Sequence, residues 1–573
     1  MVSTKREAKE IVAIMKNYEK SKAILWYLAA GTFSIALAIG LLFLSGMNPF
    51  NARHWKAILN FIWEKKKLPD YWLYGLIGWF FITFMAVLLC PFSLASTAFG
   101  NSRWATAANY RRFKPTVKAK NGIVLGYANG RLLRSDAPLT TWVVAPAGTG
   151  KTAGIIIPSI LSCPNDSLFI NDPKGELFDL TSPARKELGE VYRIEWTAGA
   201  DKSACWNPVD IGNLPKDSAE RGDLIDQLTD ILMKSPGNKG SDSDSFFSDS
   251  ARTAFSSLLL YNIYEAERKG KNTALGAVYN QISSLGADGS GSEFTDAVGD
   301  KLKEFVVIAD IHKYPQRIVS GLNQLVGSPQ KTRGNIISTV LAKLEIFKNE
   351  NVVSVTSKNN FNLSDLRGKN GRPITVYIVV PAFDQESFGK ISGLLIESAV
   401  RLLTKIKPQN SEKSVRFILD EAGFLPPSKA VAMGPAITRG FRVSFLFAFQ
   451  DYSQVTANWG EHALENLKTN TAYTIVLTQN NEKTAEAISK RIGTTTIKKT
   501  SSSKDSGKIL GSKNVSTHED GQPLIRPEDI MSLKIGTQIV LVQNNGTRPI
   551  FCKSAYYPKF KKFKKLMDLS KKT

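Results

Sequence analysis

Hydrophobic positions fall into three regimes along the 573-residue chain. Two charge-free runs come first: no Asp, Glu, Lys or Arg occurs between Lys22 and Arg53, nor from Tyr71 to Ser102. Within them, residues 23–45 and 72–94 are apolar and long enough to cross the ~30 Å hydrocarbon core of a bilayer. Trp26, Tyr27, Trp72, Tyr74 and Trp79 supply aromatics suited to its interfaces. The first run is too long for a secretory leader, lacks a small-residue cleavage site and is followed by a second span. From residue 140 onward, short apolar runs alternate with helical stretches, the signature of a mostly parallel α/β sheet. Strands are predicted at Trp142–Val144, Ser167–Asn171, Glu190–Trp196, Ile374–Val380, Val415–Leu419, Val443–Phe449, Tyr473–Leu477 and Gln538–Val542.

Between the third and fourth of these strands the period changes. Phe247, Ala251, Ala254, Phe255, Leu258, Leu259 and Tyr261 recur at helical spacing. Gly/Ser/Asp-rich stretches at 236–245 and 284–292 read as loops. The predicted organisation is a membrane domain over 1–102, a nucleotide-binding domain in two parts (103–212 and 351–552), an all-α insertion domain over 213–350 and a basic tail over 553–573.

Charge sharpens this division. The formal net charge is +23. Residues 1–120 contribute +12, residues 496–513 contribute +4 and residues 553–573 contribute +7, so the large central body is balanced. It is therefore not a basic surface coating nucleic acid. The Lys/Ser-rich stretch 496–513 lacks apolar periodicity and is predicted to be a mobile loop. The tail Lys559-Phe-Lys-Lys-Phe-Lys-Lys565 interleaves rings and cations, a pattern that grips phosphates and stacks bases, lies on lipid, or is simply a solvated end. Four cysteines without a CxxC and four histidines without an HExxH exclude a disulfide scaffold, a thiolate zinc site and a zincin-type protease. A protein kinase is excluded by the missing HRD and DFG elements.

The candidate chemistry begins after the first core strand. Ala145, Pro146, Ala147, Gly148, Thr149, Gly150, Lys151 and Thr152 have the spacing of a phosphate-binding loop, with Ala145 in place of the first glycine. Small residues let backbone N–H groups curl around phosphates; Lys151 reaches the β- and γ-phosphates, and the Thr152 hydroxyl ligates Mg²⁺. The strand Val415–Leu419 ends in Asp420 and Glu421, suited to holding the magnesium of MgATP and polarising the attacking water, respectively. The next strand ends in Gln450, either a γ-phosphate sensor or a plain turn residue before Asp451. Asp172, Lys174 and Glu176, after a strand next in order to the phosphate loop, belong to the nucleotide-proximal face, to a contact with a neighbouring subunit, or to a simple helix start. A nucleotide site has to face the cytosol, which places both termini there; the Lys/Arg counts flanking the spans give only a weak bias.

With these residues placed, the chain resembles the type IV secretion coupling proteins, the TraG-type membrane ATPases of conjugation and effector export. The likeness rests on Gly100-Asn-Ser-Arg-Trp-Ala105, the phosphate loop, Asn171-Asp-Pro-Lys-Gly-Glu176, Trp206-Asn-Pro-Val-Asp210, Lys331-Thr-Arg-Gly334, Leu419-Asp-Glu-Ala-Gly-Phe-Leu425 and Gln522-Pro-Leu-Ile-Arg-Pro-Glu-Asp-Ile530. Asn101, Ser102, Ala145 and Asp451 depart from the family pattern. The resemblance implies a RecA-like ATPase using ATP and Mg²⁺, assembled as a hexameric ring at the bacterial inner membrane. It also implies an all-α domain that receives substrate, and partners comprising a relaxase with single-stranded DNA, or effector proteins, together with the secretion channel and membrane lipid. The family places an arginine between the carboxylate strand and the strand ending in Gln450, which here singles out Arg439 as a finger acting on a neighbour; Arg333 and Arg442 are rivals. Two alternatives stand beside this reading: an FtsK-class double-stranded-DNA translocase, and an ATP-gated receptor for protein effectors alone.

Overall fold

The computed structural model describes residues 99–106, 120–233, 242–287, 296–381, 384–426, 429–504, 513–543 and 548–568, with isolated positions elsewhere. The expected spans, 23–45 and 72–94, lie outside the described residues apart from isolated positions; among the described residues no helix is long and apolar enough to cross a membrane. The chain divides into two compact units: residues 1–101 with 494–522, and residues 102–493 with 523–573.

The second unit is built on an eleven-stranded sheet. Its strands are β1 (Ile123–Ala128), β2 (Arg131–Ser135), β3 (Thr141–Val144), β4 (Ser167–Asp172), β5 (Val191–Glu195), β6 (Thr375–Val379), β7 (Val415–Leu419), β8 (Val443–Phe449), β9 (Tyr473–Val476), β12 (Thr537–Val542) and β13 (Ile550–Lys553). In space they run β2-β1-β13-β12-β9-β3-β8-β7-β4-β6-β5. The seven strands from β9 to β5 are parallel, and the four on the other side are antiparallel additions. The parallel strands are those the apolar runs predict. The antiparallel edge beyond β12 was not anticipated, in part because Gly126 breaks the alternation of β1 with a bulge.

Alternate residues feed opposite faces of this sheet. Trp142 and Val144 enter one apolar core while Val143 enters the other. On the first face Phe169, Phe417 and Phe445 stand in register on β4, β7 and β8, with ring centroids 5.1 and 5.2 Å apart. Such same-face aromatic stacks add to area burial and pin the register of neighbouring strands.

The chain leaving β3 turns through the phosphate loop into a π-type turn, Thr152–Ile156, and then helix α1 (Ile157–Leu161). The Ile157 N–H bonds back to the Thr152 carbonyl, one residue beyond the α-helical partner. Pro158 accounts for the widening, because it has no N–H to offer the preceding turn and its ring crowds it. Helix α2 (Glu176–Lys186) follows β4 on the same side.

Helices α3 (Ser218–Met233), α4 (Asp242–Arg268), α5 (Leu275–Ala287), α6 (Ala297–Ile311), α7 (Gln316–Val326), α8 (Gln330–Lys343) and α9 (Glu350–Val355) fill the interval between β5 and β6. Their apolar stripes merge with the sheet's first face into one continuous core containing Trp142, Phe169, Leu258 and Leu322. The all-helical stretch thus runs past the predicted boundary at 350, and it is not a separate compact unit. Residues 242–245, expected in a loop, open α4, where Asp and Ser suit a helix start. Helices α10 (Gln385–Lys405), α11 (Lys429–Ile437), α12 (Tyr452–Trp459), α13 (Glu461–Asn470), α14 (Glu482–Ile492) and α15 (Pro527–Met531) complete the unit, before a last short helix.

The first unit corrects the loop predicted at 496–513 over 496–504 and at 513; residues 505–512 lie outside the described residues. Strands β10 (Thr494–Lys504) and β11 (Lys513–Pro523) form a two-stranded sheet. The β-branched run Thr494, Thr495, Thr496, Ile497 favours extended backbone, and it outweighs the lysines and serines that follow. Phe99 and Gly100 both donate their N–H groups to the Thr496 hydroxyl (3.1 and 3.2 Å), and Asn101 pairs antiparallel with Thr495. A Cβ on Gly100 would fall 2.2 Å from the Thr494 carbonyl oxygen, so only glycine fits at the head of the Gly100–Ala105 element.

The basic tail is also structured, as helix α16 (Lys561–Met567) after β13. Phe563 is 1% exposed, and Phe560 stands edge-on to Tyr127 of β1 at 5.2 Å. The rings are therefore committed to the core and cannot stack bases, whereas Lys561, Lys562, Lys564 and Lys565 are exposed. Phe563→Ala should destabilise the protein by about 3 kcal/mol through cavity formation, seen as a lowered melting temperature. Replacing the four exposed lysines by Gln should change stability by no more than about 0.5 kcal/mol.

Candidate active site

Parallel register brings the ends of β3, β8, β7 and β4 to one edge of the sheet: Val144 lies opposite Phe449, Leu419 opposite Phe447, and Asn171 opposite Leu419. The residues immediately beyond those ends form the site. Strand β8 runs between the phosphate-loop strand and the carboxylate strand, so Gln450 emerges between the two halves.

In the phosphate loop, Ala145 is fully buried and donates its N–H to the Phe449 carbonyl at 2.9 Å. It has no positive φ, which is why alanine serves where glycine is usual; the left-handed positions are Gly148 (φ 78°) and Gly150 (φ 87°). Pro146 is buried and its carbonyl accepts from the Thr149 hydroxyl at 2.8 Å, bracing the loop from inside. Ala147, Gly148 and Gly150 are exposed at its rim.

Lys151, 6% exposed, reaches across to Glu421, with Nζ 2.6 Å from Oε1. The other oxygen of Glu421 accepts from Gln450 Nε2 at 3.4 Å. Glu421 is in the left-handed region (φ 51°), a conformation that costs energy in a non-glycine residue. Its neighbour Asp420 accepts at Oδ1 from the Glu421 N–H (3.0 Å), and at Oδ2 from the Thr152 hydroxyl (3.4 Å). Burial pushes the Asp420 carboxyl up to about 6; Lys151 opposes that rise, and the nearby Glu421 and Asp172 charges add to it.

These groups suit a nucleotide with a hard divalent cation. Among the described residues no group of three or more His, Cys, Asp or Glu is placed to hold a metal. One buried carboxylate beside one hydroxyl is instead the sparse oxygen donor set that Mg²⁺ takes when substrate phosphates and water supply the rest. Asp420 and Thr152 would hold it, and its chemistry there would be to neutralise phosphate charge. The carboxylate of Glu421 neutralises Lys151. A polyphosphate would compete for that ammonium, which would leave Glu421 as a candidate base for water, within reach of Gln450.

The remaining predicted residues divide. Asp172 is 1% exposed and accepts from the Phe178 N–H (2.7 Å) and the Lys174 N–H (3.4 Å), so it starts helix α2; Lys174 and Glu176 are exposed on the same edge. Burial raises the Asp172 carboxyl above its usual range, and those backbone donors oppose the rise. Arg439 is exposed in the turn Thr438–Phe441, which precedes β8 and lies at the opposite edge from Gln450. A seven-residue strand spans about 23 Å, so Arg439 does not reach the site of its own chain. Both rivals are committed elsewhere. Arg333 is buried, ion-paired to Asp296 at 2.5 Å and bonded to the carbonyls of Leu325, Val326 and Ser328. Arg442 donates to the carbonyls of Gln409 and Glu412.

Two residues with no role assigned from sequence complete the site. Asn171 donates from Nδ2 to the Asp420 carbonyl at 2.8 Å, and Gln479, beyond β9, donates from Nε2 to the Val144 carbonyl at 2.9 Å. A polar amide at the end of each apolar strand was the available signal, the same one that singled out Gln450. Lys151→Ala should abolish ATP turnover. Glu421→Gln should still bind MgATP while turnover falls by roughly 10²–10⁴, measured as phosphate release alongside fluorescent-nucleotide binding.

The comparisons with known proteins agree with this geometry. Residues 99–573 match the model of the family described as type IV secretory system conjugative DNA transfer. The chain is 28% identical to protein VirD4 of Rhizobium radiobacter over 82% of its own length and 65% of that protein's. It is 26% identical to conjugal transfer protein TraG of Escherichia coli, over 70% of this chain and 63% of the other; the matches thus span just under two thirds of these relatives. Among solved structures, the plasmid coupling protein TrwB in complex with the ATP analogue ADPNP is similar at a TM-score of 0.56, with 14% identity over 81% of this chain and 95% of that one. The TrwB complex with ADP and Mg²⁺ is similar at 0.53, with 13% identity over 81% and 96%. The fold is thus that of a TrwB-like α/β P-loop protein, and the chain belongs to the type IV secretory system conjugative DNA transfer family, the coupling proteins of type IV secretion.

Proposed function

We propose that this chain is a membrane-anchored ring ATPase that hydrolyses ATP to move substrate, relaxase-bound single-stranded DNA or effector proteins, into a type IV secretion channel. The observation that carries the reading is the cluster at one sheet edge, in which Glu421 is shared between Lys151 and Gln450 beside Asp420 and Thr152. A lysine for phosphates, a hydroxyl and carboxylate for magnesium, and a second carboxylate for water are the parts that phosphoryl transfer to water requires. TrwB, which shares the fold, is known with ADPNP and with ADP and Mg²⁺. The family description supports DNA as cargo.

Anchoring is supported by the charge-free runs at 23–45 and 72–94, which would place both termini and the ATPase domain on the cytoplasmic side of the inner membrane. The ring, taken as a hexamer, is supported by a deficit in the site itself: among the described residues, the contacts of Lys151, Thr152, Asp420 and Glu421 include no guanidinium. Arg439, exposed at the far edge, is the residue assigned to supply it to the adjacent subunit.

Two measurements test this. The full chain in detergent should hydrolyse ATP, and single-stranded DNA should raise the rate if DNA is the cargo; absence of turnover would sink the motor reading. Arg439→Ala alone should lose about 10³–10⁵ in rate. Mixed rings of Arg439→Ala and Lys151→Ala subunits should recover part of it, because some interfaces then pair an intact lysine with an intact arginine. No recovery in rings shown to be mixed would remove Arg439 from the role.

A further inference from the structure

The cluster above occupies the carboxyl edge of the parallel strands. Near the opposite edge, where β9 begins and β12 ends, lies a cavity of about 340 Å³ whose walls include Lys468, Thr469, Arg491, Val542, Gln543 and Pro549. Among the described residues no carboxylate lines it. Its two cations are weakly committed. Lys468 pairs with Glu465 at 2.8 Å, one turn back on α13, with the glutamate largely in solvent; such a pair is worth little. Arg491 has no carboxylate partner among the described ion pairs, and its contacts are long: 3.3 Å to the Thr474 hydroxyl and 3.4 Å to the Lys468 carbonyl. A guanidinium carries five donors in a planar fork, so this one keeps donors for a ligand beyond its contacts with Thr474, Lys468 and Tyr452.

An aromatic wall stands behind the two cations. The Tyr452 ring has Lys468 Nζ 5.1 Å from its centre and packs on Trp142 of β3 at 5.0 Å. Its buried hydroxyl faces the Arg491 guanidinium. Burial raises the Tyr452 phenol above its ordinary range; the charge and hydrogen bond of Arg491 oppose that rise, and the Glu465 charge adds to it. Tyr452 opens helix α12 only two positions after Gln450.

A recess holding two cations and a hydroxyl-bearing residue, with no acid in its lining, selects an anion. A planar fork beside a point charge fits a phosphate group better than a halide. We propose that this cavity is a second phosphate-binding site, with Arg491 as the bidentate anchor and Lys468 as the supporting charge. The phosphate comes from the backbone of a nucleic-acid strand or from a free phosphate ligand; only the first source rests on the proposed function.

The test uses the full chain in detergent with Arg491→Gln, Lys468→Gln and, as the charge-conserving control, Arg491→Lys. Binding of labelled oligo-dT is followed across salt concentration. If the strand is the source, each Gln variant should flatten the slope of log K against log salt by about 0.7 and bind several-fold more weakly, while Arg491→Lys keeps the wild-type slope. In the second arm, all variants carry Lys151→Ala to silence the phosphate loop, and inorganic pyrophosphate is the probe. If the source is a free phosphate, oligo-dT slopes coincide, but pyrophosphate raises the melting temperature of the parent and of Arg491→Lys and not of the Gln variants. Unchanged slopes together with an unchanged pyrophosphate response overturn the site. ATP turnover without DNA should stay at the parental rate in the Gln variants, which separates failure here from failure of the motor reading. Should Arg491→Gln not fold, Lys468→Gln and Arg491→Lys carry both arms.

Discussion

A buried ion pair between residues 270 positions apart, Lys151 and Glu421, ties the two halves of this site together. It exists because β8 is threaded between β3 and β7, with β3 and β8 ending level and β7 ending two residues earlier, so that Glu421 comes abreast of the strand ends. A slip of one residue in either pairing would turn every side chain of a strand to the opposite face, and the aromatic stack of Phe169, Phe417 and Phe445 opposes such a slip. Burying a lysine and two carboxylates together is costly unless each is paired. The pairing here is incomplete, as the raised Asp420 carboxyl shows. The cluster sets one lysine against two carboxylates, so a magnesium ion held by Asp420 and Thr152 would ease its burial.

The parallel half of the fold and the phosphate chemistry were legible in the sequence because each strand is a short apolar run buried on both faces, and because chemistry sits at the strand ends. Val443–Phe449 was read with its observed bounds. The antiparallel edge was harder. Strand β1 contains a bulge at Gly126, and β13 alternates buried and exposed residues over only four positions, Ile550–Lys553. Short edge elements carry little periodicity, so nothing in their pattern distinguishes them from loops. Of the site, the lysine, threonine, two carboxylates and Gln450 were readable. Asn171 and Gln479 were not given roles, because a carbonyl that needs orienting is a property of the assembled backbone and leaves no mark on spacing.

Charge misled where composition was read without propensity. The lysines of 496–513 suggested a solvated loop, yet four β-branched residues at its start set an extended backbone that pairs with 513–523 and takes residues 99–101 onto its base. The Gly100–Ala105 element thereby acquires a physical explanation: its glycine lies against the Thr494 carbonyl, and its tryptophan ring packs edge-on to Phe551 at 5.4 Å. The tail shows the same lesson from the other side. Its lysines are surface decoration on a helix whose phenylalanines seal the core beside β1, so the mixed aromatic–basic pattern that resembles a nucleic-acid grip is an amphipathic helix.

Strand β8 links the two edges of the molecule. Gln450 stands at one end, beside the Glu421 carboxylate, and the turn carrying Arg439 stands at the other. All seven residues of the strand are buried, and close-packed interiors do not yield locally to small displacements. In the proposed ring, the amide at one end faces the chain's own nucleotide while the arginine at the other serves a neighbour. A change at the γ-phosphate that moves Gln450 then has a stiff, single-strand path to the adjacent subunit's site. The same strand order that allows Lys151 to meet Glu421 thus also sets the distance over which subunits would communicate. Inserting β8 elsewhere in the sheet would remove both properties together.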